Sequence, residues 1–336
     1  MEWKMNILVT GATGFLGFNL CLRLKQMGMT VYGLGRNIQK GEKLKDNGIN
    51  FIQESLENKE GIEKACIGMD YVFHCGAKSS AWGKYEEFYQ SNVVGTKNII
   101  NACFKNKVKR LIHVSSPSIY FEFKDKLNIK ESDVLPGTQV NYYATTKKMA
   151  EDEIDKAFEN GLPVITIRPR AIFGVGDTAL LPRLIRSNKE KFIPLICKSD
   201  ILIDITHVDN VVESLICAMN TDNTYLGEKY NITNDEPIYM YDFLSNLMEK
   251  LKIPFKTKKI SYKTALKFAG ILEFISKTFL NYKEPVFTKY TVGLLAFSQT
   301  LDIQKAKKEL NYKPIKSIQK GVEELVKYNE KTHEYC

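Results

Sequence analysis

The chain has 336 residues, 44% of them hydrophobic and 26% charged, and a net charge of +9 carried mostly by lysine. This is the composition of a folded globular protein, long enough to bury a large core. The cations are spread along the chain, which excludes a basic nucleic-acid tail or patch, and no apolar run reaches the roughly 20 residues that cross a bilayer.

Taken in chain order, "MEWKMNILVTG" enters a predicted strand at residues 6–10 and lacks the layout of a signal peptide, so a cytoplasmic protein is expected. Apolar spacing then predicts a helix over 15–28, strands over 30–34 and 50–53, and a helix over 59–67. A strand over 70–76, a helix over 85–106, a strand over 110–116, a helix over 142–160 and a strand over 163–169 follow. Continuous apolar strands separated by helices imply a parallel sheet covered on both faces, and right-handed crossovers leave a doubly wound Rossmann α/β fold. Beyond Pro169 the alternation loosens. "AIFGVGDTALLPRLIRS" reads as loop and helix, "DITHVDNVVESLICAMN" as strand and helix, and the tail over 238–328 as mostly helical. The expected division is a dinucleotide-binding lobe over 1–170 with segments near 200–235 returning to it. A smaller, mostly helical substrate lobe would be built from 171–199 and 236–336.

The first strand runs into "TGATGFLG", which spaces Gly11, Gly14 and Gly17 three residues apart before an amphipathic helix. The first glycine permits a tight turn, the second lets backbone approach a pyrophosphate, and the third lets the helix pack close to the strand. Free amides and the positive dipole end at the helix start would hold the phosphates, with Thr13, Phe15 and Leu16 of the same turn against the cofactor. About 20 residues on, where NAD-preferring sites carry an acid, the chain reads "GLGRN". Nothing there repels a 2′-phosphate and Arg36 offers a forked cation to bind one, so NADP(H) is the expected cofactor and NAD(H) the alternative.

The strand "RLIHVSSPSIY" delivers Ser116 to its carboxyl end, and "NYYATTKKMAEDEIDKAF" carries Tyr143 and Lys147 at the start of a helix. At i, i+4 the two side chains share a face, where the ammonium favours the tyrosinate and lowers a phenol whose reference pKa is about 10. Such a tyrosine can exchange a proton with a carbonyl or alcohol oxygen while hydride moves to or from nicotinamide, and Ser116 can hydrogen-bond the same oxygen. The same spacing occurs at Tyr120/Lys124, Tyr225/Lys229 and Tyr312/Lys316, but only Tyr143/Lys147 opens a long helix after the serine strand. Tyr142 points about 100° away and reads as packing.

These segments, with "VFHCGA", "NVVGT", "YATTK" and "IRPRAIFGVGD", resemble the extended short-chain dehydrogenases/reductases over nearly the whole chain. Within that family "AWGKYEEFYQSNVVGT", "HVSSPSIYF" and "RPRAIFGVGDTALLPRL" are most similar to the 3β-hydroxysteroid dehydrogenase branch, in particular to 2-alkyl-3-oxoalkanoate reductases. The resemblance implies that Ser116, Tyr143 and Lys147 form the catalytic set, Lys147 also touching the nicotinamide ribose. It implies cofactor contacts at Leu56, at Ala77 and Lys78 after the fourth strand, and at Pro169 and Ile172 after the sixth. Asn92 falls on a helix position linked to proton relay in relatives. One departure is Ser55, where relatives carry an aspartate near the adenine. Relatives also pair the helices corresponding to 85–106 and 142–160 in a homodimer, which is therefore expected here.

Smaller signals have plain readings. His74, His113 and His207 lie in or beside apolar runs without metal-ligand spacing and read as satisfied core or loop histidines, so no metal is expected. Cys21, Cys66, Cys75, Cys103, Cys197, Cys217 and Cys336 form no CxxC pair and read mostly as small buried hydrophobes in a reducing compartment. Arg183 and Arg186 fall near the expected substrate mouth. The apolar stretch 262–280 is interrupted by Lys267, Glu273 and Lys277, so it reads as packing of the small lobe, or as a lid brushing a membrane surface.

The function expected is NADP(H)-dependent interconversion of a ketone and a secondary alcohol on a hydrophobic substrate, a 3-oxo acid or a steroid-like ring. A nucleotide-sugar epimerase or dehydratase is the alternative on the same scaffold. "SSPSIYF" lacks the carboxylate a dehydratase needs beside the serine, and Arg36 argues against the tightly held NAD of an epimerase. An NADP(H)-sensing regulator is the third reading, disfavoured by the intact Ser/Tyr/Lys set.

Overall fold

A computed structural model describes residues 5–177, 180–196 and 200–332; Cys197 and Cys336 lie outside them. The amino-terminal part alternates strand and helix: β1 (Asn6–Thr10), α1 (Phe15–Gln26), β2 (Thr30–Gly35), α2 (Ile38–Asp46), β3 (Asn50–Gln53), α3 (Lys59–Ala65) and β4 (Tyr71–His74). Next come α4 (Tyr85–Phe88), a π-helical turn (Tyr89–Val94) and α5 (Gly95–Lys105), which run on as one rod. They are followed by β5 (Arg110–Val114), β6 (Lys126–Ile129), α6 (Tyr142–Glu159) and β7 (Val164–Pro169). The remainder holds β8 (Ile172–Phe173), α7 (Leu181–Glu190), β9 (Ile193–Leu195), β10 (Leu202–Ile203), β11 (Thr206–His207), α8 (Val208–Asn220) and β12 (Lys229–Ile232). Last are β13 (Ile238–Tyr239), α9 (Met240–Lys250), β14 (Thr257–Lys259), α10 (Tyr262–Phe279), α11 (Lys289–Leu294), β15 (Gln299–Leu301), α12 (Gln304–Glu309) and α13 (Ile318–Thr332).

Seven strands form one parallel sheet in the order β12-β7-β5-β4-β1-β2-β3. Its two faces can be read from β1. Ile7 and Val9 join Leu20 and Leu24 of α1 and Leu215 of α8, whereas Leu8 points the other way to Ile62 of α3, Ile99 of α5 and Ile154 of α6. Side chains alternate across a strand, so a run buried on both faces needs helices on both, and the chain supplies them. The strand order reverses between β1 and β4, which opens a crevice at their carboxyl ends.

Two elements escape periodicity. The polar sequence "IQKGEKLKD" buries only Gly41 and Leu44, yet it forms α2 because the Asn37 side chain caps it, accepting from the Lys40 amide at 2.9 Å. The short β6 joins a separate sheet ordered β13-β10-β15-β6. The expected packing role of 262–280 needs correction. In α10 only Ala265, Ala269 and Ser276 are buried, whereas Phe268, Ile271, Phe274 and Phe279 are 53–72% exposed. Among the described residues no helix is long and apolar enough to cross a membrane.

Candidate active site

The loop from β1 to α1 is closed by contacts that admit no side chain. Gly11 has φ +67°, and a Cβ there would lie 2.7 Å from the Cα of Gly76 after β4; one on Gly17 would lie 2.4 Å from the Gly11 carbonyl oxygen. Gly14, whose amide donates to Gly11 O at 2.8 Å, begins α1 without a capping side chain, and the first turn has no acid. The opening amides of α1 therefore face the crevice with their dipole uncancelled. Thr13, Phe15 and Leu16 are half-buried along this turn.

A buried chain of hydroxyls and imidazole supports the floor. Thr96 donates to Asn92 O at 2.6 Å, so its Oγ1 accepts from His74 Nε2 at 3.0 Å. His74 Nδ1, left without a proton, accepts from Thr10 Oγ1 at 2.8 Å, and Thr10 in turn accepts the Gly76 amide at 3.1 Å. Burial, with the Lys147 charge adding to it, drives the His74 pKa down to about 3 and keeps the ring neutral, as this donor order demands. His207 caps α8 through Nδ1, which accepts the Asp209 amide at 3.2 Å. Two histidines depart from the expectation of satisfied rings: among the described residues, His207 Nε2 is buried without a hydrogen-bond partner, and His113, fully buried 5.5 Å from the His74 ring, has none at either nitrogen. His207, Asp209 and Glu324 converge, but the Lys316 ammonium lies 2.6 Å from Asp209 and 2.7 Å from Glu324 and already pairs with both carboxylates.

Both polar atoms of Asn92 are engaged within the protein. Oδ1 accepts the Lys78 amide at 2.7 Å, and Nδ2 donates to Lys78 O and to Thr146 Oγ1 of α6. This clamp fixes the loop carrying Ala77 and Lys78, while the Lys78 ammonium turns away to Glu87 at 2.6 Å. Leu56 is buried, with its carbonyl accepting from Asn98 at 2.8 Å. Arg36 is exposed at the end of β2. It shares its surroundings with Glu57, where burial is outweighed by the Ser55 hydroxyl, a backbone amide and Arg36, so the carboxyl stays below its usual range.

Asn141 caps α6 by accepting the Ala144 amide at 2.8 Å, which places Tyr143 in the first turn and Lys147 one turn later. Lys147 is only 2% exposed, and its Nζ donates to Val114 O, the last carbonyl of β5, at 2.7 Å. Burial pulls its pKa down to about 8, against the opposing pull of Glu151 and Cys75. Two residues beyond Val114, Ser116 Oγ accepts the Ser118 amide at 3.2 Å, which leaves its own proton to donate. Lys147 is thus docked on the strand end that carries Ser116, with Tyr143 one turn before it on the same helix. Pro169 and Ile172 lie beside it, because β7 pairs with β5. Tyr142 lies outside the crevice, edge-on to Tyr85 at 5.4 Å.

Behind α6, Glu151 and Arg168 form a bidentate ion pair, each no more than 3% exposed, and Arg168 also donates to the Tyr120 hydroxyl. Tyr120 donates onward to Asn231 of β12 at 3.0 Å. Tyr120 is thereby committed to the core, as is Tyr312, which donates to Thr233 O at 2.9 Å. Arg183 is held at the surface by Glu284 at 3.0 Å. The cation that sequence reasoning passed over is Arg170, two residues past Arg168 in "IRPRAIF". Its one sequence signal, a second arginine at the end of a buried strand, was masked by the first.

Comparisons with known proteins agree on the scaffold. Residues 8–263 match the model of the 3-beta hydroxysteroid dehydrogenase/isomerase family. A 2-alkyl-3-oxoalkanoate reductase from Stenotrophomonas maltophilia is 32% identical over 326 residues, spanning 96% of this chain and 98% of that one. The human sterol-4-alpha-carboxylate 3-dehydrogenase, decarboxylating, is 32% identical over 328 residues, 95% of this chain and 86% of that one. In fold the chain is similar to UDP-glucuronic acid 4-epimerase from Bacillus cereus, with a TM-score of 0.78 at 23% identity, covering 98% and 100% of the two chains.

Proposed function

The chain belongs to the 3-beta hydroxysteroid dehydrogenase/isomerase family and is an oxidoreductase, and from that premise we propose that it interconverts a ketone and a secondary alcohol on a hydrophobic substrate, with NADP(H). The observation that carries this reading is the docking of the Lys147 ammonium on Val114 O, beside Ser116 and one turn after Tyr143, at the mouth of the crevice. A dinucleotide fits the chain's own features: a turn too tight for any side chain at Gly11, and a helix start without a cap.

A bound nicotinamide would supply the hydride. In the reductive direction Tyr143 gives its phenolic proton to the carbonyl oxygen, and Ser116 donates a hydrogen bond to the same oxygen as charge develops on it. Lys147 would keep a positive charge one turn along the helix from the phenol, and the N–H groups it does not give to Val114 O would be available to hold the nicotinamide ribose. Relatives named for 2-alkyl-3-oxoalkanoates and sterol carboxylates support a 3-oxo acid or a steroid-like ring as substrate. The half-buried rings of Phe123 and Tyr290, packed edge-on against the buried Phe121 at 5.3 and 5.6 Å, support an apolar body for it.

The test is a panel of hydrophobic 3-ketones and UDP-sugars with NADPH and NADH. Reduction of the ketones by NADPH supports the proposal. Conversion of a UDP-sugar without added cofactor would replace it with the epimerase. Arg36→Ala should raise the Kd for NADPH about 10- to 100-fold, the worth of a charge-assisted hydrogen bond, and change that for NADH little. Fluorescence titration of the two dinucleotides measures both.

Tyr85 and Tyr142 expose 39% and 42% of their surface on neighbouring helices, which supports a homodimer through this face; sedimentation equilibrium of Tyr85→Lys against the parent chain tests it. The outward aromatic face of α10, flanked by Lys259, Lys263 and Lys267, supports a peripheral contact with anionic lipid. Co-sedimentation with phosphatidylserine vesicles, lost in Phe268→Ser/Phe274→Ser, tests that contact.

A further inference from the structure

Arg170 follows β7 directly, and its backbone is fixed on both sides. Its amide donates to Ile232 O at 3.0 Å, and its carbonyl accepts from the Thr206 hydroxyl. The side chain has no such anchorage. Among the described residues the guanidinium makes no hydrogen bond and no ion pair, and its Nε is buried without a partner. Arg168, two positions earlier, is saturated by Glu151 and Tyr120, so two arginines on one strand end have opposite fates.

The groups around Arg170 do not satisfy it. Asp204 is within its electrostatic reach but forms no ion pair with it; one Asp204 oxygen instead accepts the Leu301 amide at 2.7 Å. Tyr290 is near enough to Arg170 and to Tyr143 to interact electrostatically with each, and Arg170 itself follows β7, whose partner β5 leads to Ser116. Burial pushes the Tyr290 phenol up to about 12, so it remains an O–H donor. A buried guanidinium nitrogen without an acceptor is unfavourable, and a planar anion with two oxygens is the partner whose geometry matches the fork.

We propose that Arg170, assisted by the Tyr290 hydroxyl, binds the carboxylate of the substrate and selects 3-oxo acids over neutral ketones. In a 3-oxo acid a single carbon separates the ketone from the carboxylate. The ketone oxygen meets Tyr143 and Ser116 while the carboxylate meets Arg170 and Tyr290, and the hydrocarbon tail is left to the half-buried ring of Phe123. The two anchors also fix which face of the ketone is presented to the hydride. The assignment rests on the ketone-reductase reading.

The experiment compares 3-oxodecanoate with its methyl ester as substrates for the full chain and for Arg170→Met and Arg170→Lys. The acid-to-ester ratio of kcat/KM should fall about 10- to 100-fold in Arg170→Met, the range of a lost charge-assisted pair, and recover partly in Arg170→Lys. An unchanged ratio, with both substrates losing equally, would overturn the assignment while leaving the reductase intact. Calorimetric binding of decanoate is the second readout, because it needs no turnover. The affinity should drop in Arg170→Met by the same factor, and equal affinity counts against the site. If wild type reduces neither compound, the reductase reading fails, and the decanoate comparison still decides on Arg170.

Discussion

Tyr143→Phe is expected to lower the rate of ketone reduction about 10²- to 10⁴-fold, the usual contribution of a positioned proton donor. The ring is kept and only the hydroxyl is lost, so NADPH affinity should stay within about twofold, as no binding energy is assigned to that oxygen. Single-turnover absorbance at 340 nm with saturating ketone measures the first quantity and fluorescence titration the second. A variant that keeps full speed would remove Tyr143 from the chemistry and leave the serine end of β5 as the site to re-examine. The dependence on Lys147 gives a further check. Its burial favours loss of the proton, so the ammonium prevails below about pH 8 and is depleted above it. The parent enzyme should therefore lose activity as the pH rises past that value.

The second large effect concerns stability. Glu151→Gln leaves Arg168 charged and buried opposite a neutral amide, and removing one partner of such a pair destabilises by about 3–5 kcal/mol. The pair ties α6, which bears Tyr143 and Lys147, to β7. Urea unfolding of the variant should show a lower midpoint with an unchanged slope, and Glu151→Leu/Arg168→Met should recover much of the loss. Burial alone would raise the Glu151 pKa, but the attraction and hydrogen bonds of Arg168 outweigh it and the folded value lies below the ordinary one. Its contribution is then complete above the ordinary carboxylate range and is lost as the pH falls through the folded value. The parent and Gln curves should converge in acid. A double variant no more stable than the single would show that packing, and not the orphaned charge, sets the penalty.

The centre of the sheet was readable from residues because β1, β4, β5 and β7 are short apolar runs buried on both faces, whereas the edge strand β12, with the sequence KYNI, was expected only as part of segments returning near 200–235. The first glycine turn was readable for a related reason: three close backbone approaches leave a spaced signature. The helix over 38–46 was not, since one capping asparagine outweighs its polar composition and no periodicity records a cap. Tyr143 and Lys147 could be picked out by their place after the serine strand. Arg170 could not, because what distinguishes it from Arg168 is the partner it lacks, and partners come from β12, α11 and β15, far along the chain. The same holds for α10: its apolar count suggested a core helix, but Phe268, Ile271, Phe274 and Phe279 fall on a face left exposed among the described residues.

The order of donors through Thr10, His74 and Thr96 runs in a single direction, from the Gly76 amide to the Asn92 carbonyl, and neither end can be reversed. A solvent proton can enter only if every link turns at once or the floor opens. In heavy water the Gly76 amide should thus rank with the slowest-exchanging sites of the central strands although it sits in a loop, and its protection should collapse in His74→Ala.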